Sequence, residues 1–163
     1  MQKSIVDAIN QHIGREFGAA YLYLSMSAYL EGQNLAGFAH WMKAQHAEEM
    51  GHGMRLFTYL LDRGEKVVLE GIKKPAATFG GPLDVLEKSL AHERIVSASI
   101  TALYELAVKH KDYATQHHMQ WFIDEQLEEE RTFETLIARL KMAGDKGPGL
   151  LMIDRELAQR GGA

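Results

Sequence analysis

The sequence predicts an all-α protein, a four-helix bundle with one long crossover loop and a short fifth helix. Three observations carry this reading. Four segments of nearly thirty residues repeat apolar side chains at helical spacing along one stripe. The three prolines, Pro75, Pro82 and Pro148, all fall in breaks between those segments. The connections are unequal, two of them short and one spanning residues 64–82.

The first helix is expected from about Ser4, a plausible N-cap, to Glu31, ending at Gly32. Its core stripe reads Ile5, Ile9, Ile13, Ala20 and Leu24. Leu22, Met26 and Tyr29 form a second apolar patch, expected to meet another subunit. The second helix, capped by Asn34, runs to Gly64 with Phe38, Trp41, Met42, Leu56, Tyr59 and Leu60 inward. The third starts near Pro82 and ends at about His110. Asp112 can cap the fourth, which ends at Gly144. Pro148 suits the first turn of a fifth helix over about 148–159, carrying Leu150, Leu151, Ile153 and Leu157. The bundle proper spans about 4–143, inside a single domain 1–163.

Short connections make helices one and two antiparallel, and likewise three and four. A helix of this size is roughly 42 Å long at 1.5 Å per residue. The segment 64–82, fully extended, reaches about 63 Å. It can run the length of the bundle and leave helices two and three parallel.

Composition narrows the functions. A chain of 163 residues buries enough surface to need no staples. A net charge of −4 argues against a nucleic-acid partner. The absence of cysteine excludes disulfides, iron–sulfur clusters, thiolate zinc sites and thiol catalysis. The amphipathic N-terminus lacks the apolar core of a signal peptide, and no apolar run is long enough to span a bilayer. A cytoplasmic location is expected.

Against that background the stretch HAEEMGH, residues 46–52, is unexpected. On a helical wheel Gln45, Glu49 and His52 share the stripe of Phe38, Trp41 and Leu56. Glu16 lies likewise on the first helix, Glu93 on the third, and Gln126 with Glu129 on the fourth. All lie near mid-helix, so the bundle brings them to one level. A buried salt-bridge network would need cations there, but Arg15, Lys43, Arg94 and Arg131 fall off the stripes. Uncompensated, each buried carboxylate would cost several kcal/mol or take up a proton. Two divalent ions would balance the four charges. Carboxylates with a little imidazole suit iron or manganese, and residues three apart, such as Glu49 and His52, can reach one ion.

The stretches REFGAAYLYLSMSAY, AEEMGH, AHER, QWFIDEQLEEE and GPGLLMIDREL together resemble bacterial non-haem ferritins along nearly the whole chain. The resemblance implies a ferroxidase centre, with one iron at Glu16, Glu49 and His52. The second is at Glu49, Glu93 and Glu129, with Glu49 bridging and Gln126 beside the pair. Tyr23 matches the family's tyrosine near the centre, a donor of an electron or a hydrogen bond. Glu48, Glu125, Glu128 and Glu129 match a third, rim iron site. The resemblance further implies a hollow cage of 24 subunits that oxidises Fe²⁺ with O₂ or peroxide and stores ferric mineral. Bacterioferritins repeat Glu-x-x-His on the fourth helix. Here that place reads Gln126-x-x-Glu129, so haem is not expected, although Met50 occupies the haem-ligand position. The other histidines, His12, His40, His46, His92, His110, His117 and His118, fit no compact ligand set and are read mostly as surface residues.

Two other functions compete. A di-iron peroxidase of the rubrerythrin type would detoxify peroxide without storing iron, but usually carries a four-cysteine module that is lacking here. A metal-free helical scaffold would have no use for the buried carboxylates.

Overall fold

A computed structural model describes residues 1–144 and 146–159; the last four positions of the expected domain lie outside them. The described residues form α1 (Lys3–Gly32), α2 (Ala36–Asp62), α3 (Pro82–Lys109), α4 (Tyr113–Ala143) and α5 (Pro148–Leu157). None of the helices is long and apolar enough to cross a membrane.

The helix boundaries follow local chemistry, with two corrections. Ser4 lies inside α1, and the N-cap position is Gln2, which makes no side-chain cap bond. Asn34 does not cap α2. It sits in the connecting turn with φ 57°, a left-handed conformation that asparagine tolerates. The cap for α2 comes instead from α5, where Asp154 Oδ1 accepts the Phe38 backbone N–H at 2.9 Å. Asp112 does cap α4, accepting from Thr115 N at 3.1 Å. It also receives both terminal nitrogens of Arg63, at 3.0 and 3.1 Å, tying the α3–α4 corner to the end of α2.

The crossover loop runs along α1. Asn10 donates to the Lys66 carbonyl and accepts from Val68 N. Farther on, Ser25 Oγ donates to the Ala76 carbonyl, and Tyr29 packs edge-on against Phe79. The loop therefore climbs α1 from its N-terminal end to its C-terminal end and delivers α3 parallel to α2. This contact changes the reading of the second apolar patch. Met26 is in the core, and Leu22 and Tyr29 pack against it. Leu24, expected in the core, is exposed instead.

The core is split into two apolar slabs. One holds Tyr23, Leu30, Phe38, Trp41, Leu86 and Phe133, closed at its end by Ile153 and Leu157 of α5. The other holds Ile5, Ile9, Leu56, Leu60, Ile100 and Phe122. Between them lies a band of buried polar side chains: Glu16, Gln45, Glu49, His52, Glu93, Gln126 and Glu129.

Candidate metal centre

Each of α1 to α4 contributes to the polar band from near its midpoint, because its apolar stripe is interrupted there by an acid. Glu16, Glu49 and His52 converge, each offering a ligand atom within 4.8 Å of the others. His52 Nδ1 stands 3.4 Å from Glu49 Oε2 and 3.9 Å from Glu16 Oε2. Among the described residues, Glu16 Oε2 and Glu49 Oε1 are buried with no hydrogen-bond partner from a third side chain; the two carboxyls meet each other, and can share a hydrogen bond only while one keeps its proton. Lone pairs left without partners inside a protein are costly. A divalent cation at their meeting point would satisfy them, and this donor set suits Fe²⁺.

The remaining carboxylates are held by neighbours. Glu93 accepts from the Tyr23 hydroxyl on one oxygen, and from Gln126 Nε2 at 2.9 Å on the other. Gln126 Nε2 also donates to the Glu93 backbone carbonyl at 3.2 Å. Glu129 accepts from Gln45 Nε2 at 2.8 Å. Tyr23 stacks on Phe133, which locks its ring. The rim acids are more open. Glu125 Oε1 is 3.9 Å from His52 Nε2, Glu48 is half-buried, and Glu128 is exposed in a groove beside Trp41 and Arg131.

The electrostatics follow from burial. Desolvation raises Glu49 to about 8, Glu129 to about 8 and Glu93 to about 7, with repulsion between the acids adding to it. Glu16 is raised for the same first reason. Burial opposes the charge on His52, yet Glu49, Glu16 and Glu125 outweigh it and lift the imidazole to about 9. Arg15, Lys43, Arg94 and Arg131 are all exposed, so no cation of this set neutralises the band. Such a cluster could exchange its protons for metal ions.

Histidine is where reading the sequence failed. His40, His110 and His117 are exposed, as expected, while His46, His92 and His118 are half-buried. His12 is fully buried, with Nε2 2.7 Å from Glu16 Oε1. Its spacing of four from Glu16 was the available signal, since i and i+4 side chains meet on a helix. Gln45 was visible on the stripe, but its grip on Glu129 depends on the α2–α4 approach.

Known proteins resemble the chain along nearly its whole length. Residues 6–143 match the ferritin-like domain family. A bacterial non-heme ferritin of Staphylococcus epidermidis is 41% identical over 98% of this chain and 96% of its own length. One from Bacteroides fragilis is 41% identical over 98% and 99%. One from Campylobacter jejuni is 37% identical over 95% and 93%. Among solved structures, an open pore ferritin from the hyperthermophilic archaeon Archaeoglobus fulgidus superposes with TM-score 0.97 at 36% identity, covering 99% of each chain. A closed form engineered from that ferritin superposes with TM-score 0.98 at 36% identity, over 100% of this chain and 99% of its own. With a buried acid–imidazole band at its centre and these relatives along its whole length, the chain belongs to the ferritin family.

Proposed function

We propose that the chain is a ferroxidase and iron store. Fe²⁺ binds at the buried band, loses an electron to O₂ or peroxide, and is deposited as ferric mineral inside a hollow cage of 24 subunits. The observation that carries this is the convergence of Glu16, Glu49 and His52 with unpartnered buried lone pairs and no neutralising cation from the nearby basic residues.

Each residue then has a task. Glu16, Glu49 and His52 hold the first Fe²⁺. Glu49, Glu93 and Glu129 take the second, Glu49 lying between the two. Tyr23 and Gln126 grip opposite oxygens of Glu93 and fix its plane, and Gln45 orients Glu129. Protons held by the acids leave as Fe²⁺ arrives, so the centre is charge-balanced before oxidation. Carboxylates favour Fe³⁺ over Fe²⁺ and pull the oxidation forward. The apolar slabs above and below keep bulk water out. Glu48, Glu125 and Glu128, with Glu129, form a more hydrated rim position for a third iron. The reaction belongs in the cytoplasm, where Fe²⁺ is available.

The test mixes anaerobic Fe²⁺–protein with O₂ in a stopped-flow instrument and follows the ferric absorbance. Glu49→Ala or His52→Ala is expected to slow the first fast phase more than about 100-fold, beyond the 10–100-fold typical of losing an outer partner. A folded Glu49 variant that oxidises at the parental rate refutes the centre. Counting iron retained after aerobic loading separates the alternatives. A store holds hundreds of ions per assembly, a rubrerythrin-like peroxidase about two per chain, and a scaffold none.

A further inference from the structure

His12 is the buried titratable group that this mechanism leaves unused. It lies on α1, one turn before Glu16, at 1% exposure. Its Nδ1 is 3.0 Å from Ser99 Oγ on α3, and Phe122 of α4 meets its ring edge-on. The imidazole is thus held from three helices. Its Nε2 is 2.7 Å from Glu16 Oε1, but the two atoms are not aligned as donor and acceptor, and neither has another hydrogen-bond partner.

Two unsatisfied polar atoms this close, with no aligned hydrogen bond, are arranged as neighbouring ligands of one cation are. A ligating histidine characteristically has its other nitrogen tied to an oxygen, which fixes tautomer and ring orientation. Ser99 supplies that tie. With Nδ1–H donating to Ser99, the Nε2 lone pair faces the carboxylate. His52 meets the opposite oxygen, Glu16 Oε2, at 3.9 Å. The two imidazoles therefore flank one carboxylate, each addressing a different oxygen.

The geometry points to an additional metal position between His12 Nε2 and Glu16 Oε1, bridged by Glu16 to the ion at Glu49 and His52. It rests on the ferroxidase reading above. Its donors suit divalent ions that accept imidazole, such as Fe²⁺, Co²⁺ and Zn²⁺. With two protein ligands it binds more weakly than the triad, so it is a holding position on the α1–α3 side of the centre. It lies away from the rim acids on α2 and α4.

Co²⁺ is the probe, because it does not turn over with O₂ as iron does. Crystals of the parental protein are soaked in CoCl₂ and anomalous scattering is recorded at the cobalt edge. We expect peaks at the positions proposed above, Glu49–His52 among them, and a further one within about 2.1 Å of His12 Nε2, the usual metal–imidazole bond length. In solution, equilibrium dialysis should show His12→Leu losing about one Co²⁺ per chain, while Ser99→Ala weakens that ion about 10-fold. His12→Gln separates ligation from mere positioning. A glutamine amide can hydrogen-bond Glu16 but is a poor ligand for these ions, so the ion at position 12 should be absent. Restoration of that ion by His12→Gln, or a parental crystal with cobalt at Glu49–His52 and none at His12, overturns this inference alone. A parental protein that binds no Co²⁺ at Glu49–His52 overturns the ferroxidase reading and this site with it.

Discussion

At the scale of single residues, the polar band is a set of acids whose burial favours the protonated form. This has a signed pH consequence. Glu93, Glu49 and Glu129 titrate at about 7, 8 and 8 in the folded chain, against 4.5 for a free side chain. A group raised on folding contributes stability below its unfolded value, and loses it as pH rises through the folded value. His52, raised from 6.5 to about 9, acts in the same direction. His12, lowered to about 4 chiefly by burial, acts oppositely, but its contribution is complete by pH 6.5. Iron-free protein is therefore expected to lose thermal stability between pH 6.5 and 9, with Tm moving about 2–4 °C per kcal/mol in a chain of this size. Glu49→Gln should flatten that slope. A Tm that rises over the same range contradicts the protonated acids. At the rim, the double variant Glu48→Ala, Glu128→Ala should keep the first fast oxidation and change the Fe²⁺ consumed per O₂, read with an oxygen electrode. Unchanged stoichiometry, with three irons still seen by anomalous scattering, would make these acids surface charge. The burial of Glu16, Glu49, His52, Glu93 and Glu129 was legible because a polar side chain on an apolar stripe violates the helical pattern. His12 was passed over although it lies four residues before Glu16, because only its neighbour Ser99 on α3 shows how its ring is held.

At the scale of elements, the sequence located all five helices, since each apolar stripe and each proline or glycine break is a local signal. It missed how α2 begins. A cap is normally sought one to three residues before the helix, and Asn34 sat there. The structure uses Asn34 to turn the chain, and brings Asp154 from α5 to the amide of Phe38. This makes α5 part of the bundle's folding. Gly37 is what permits the approach, because a Cβ there would overlap the Asp154 carbonyl. Gly37→Ala is expected to displace α5, uncover Ile153 and Leu157, and lower Tm even though alanine favours helix. Asp154→Ala should cost about 1 kcal/mol as a lost cap and leave α5 packed. Limited proteolysis distinguishes the two, with cleavage near residues 144–148 accelerated in Gly37→Ala and little changed in Asp154→Ala. Equal protection in both would mean that Gly37 does not set how α5 packs.

At the scale of the whole molecule, the apolar patch first assigned to a subunit interface is partly used inside the chain, with Leu22 and Tyr29 left half-buried. Met26 is core, and Tyr29 is covered by Phe79 of the crossover. The case for assembly passes to other residues. Leu127 and Met142 on α4, Leu151 and Met152 on α5, and Val68, Leu69 and Ile72 on the crossover are large apolar side chains left exposed, Met142 at 81% and Met152 at 74%. They lie on different elements, including the middle and the C-terminal end of α4 and the loop on α1, so they do not make one patch for one partner. A closed assembly with several kinds of contact is the arrangement that uses them all. Sedimentation at micromolar concentration should therefore show a species far heavier than a dimer. Charged substitutions on separate elements should break different contacts. Leu69→Glu on the crossover and Met152→Glu on α5 are each expected to yield smaller species, of different sizes, while leaving the helical content and the first Fe²⁺ oxidation intact. The centre is built within one chain from α1 to α4, so oxidation survives disassembly and mineral retention does not. A parental protein that stays monomeric or dimeric across salt conditions would refute the cage and leave the metal centre standing.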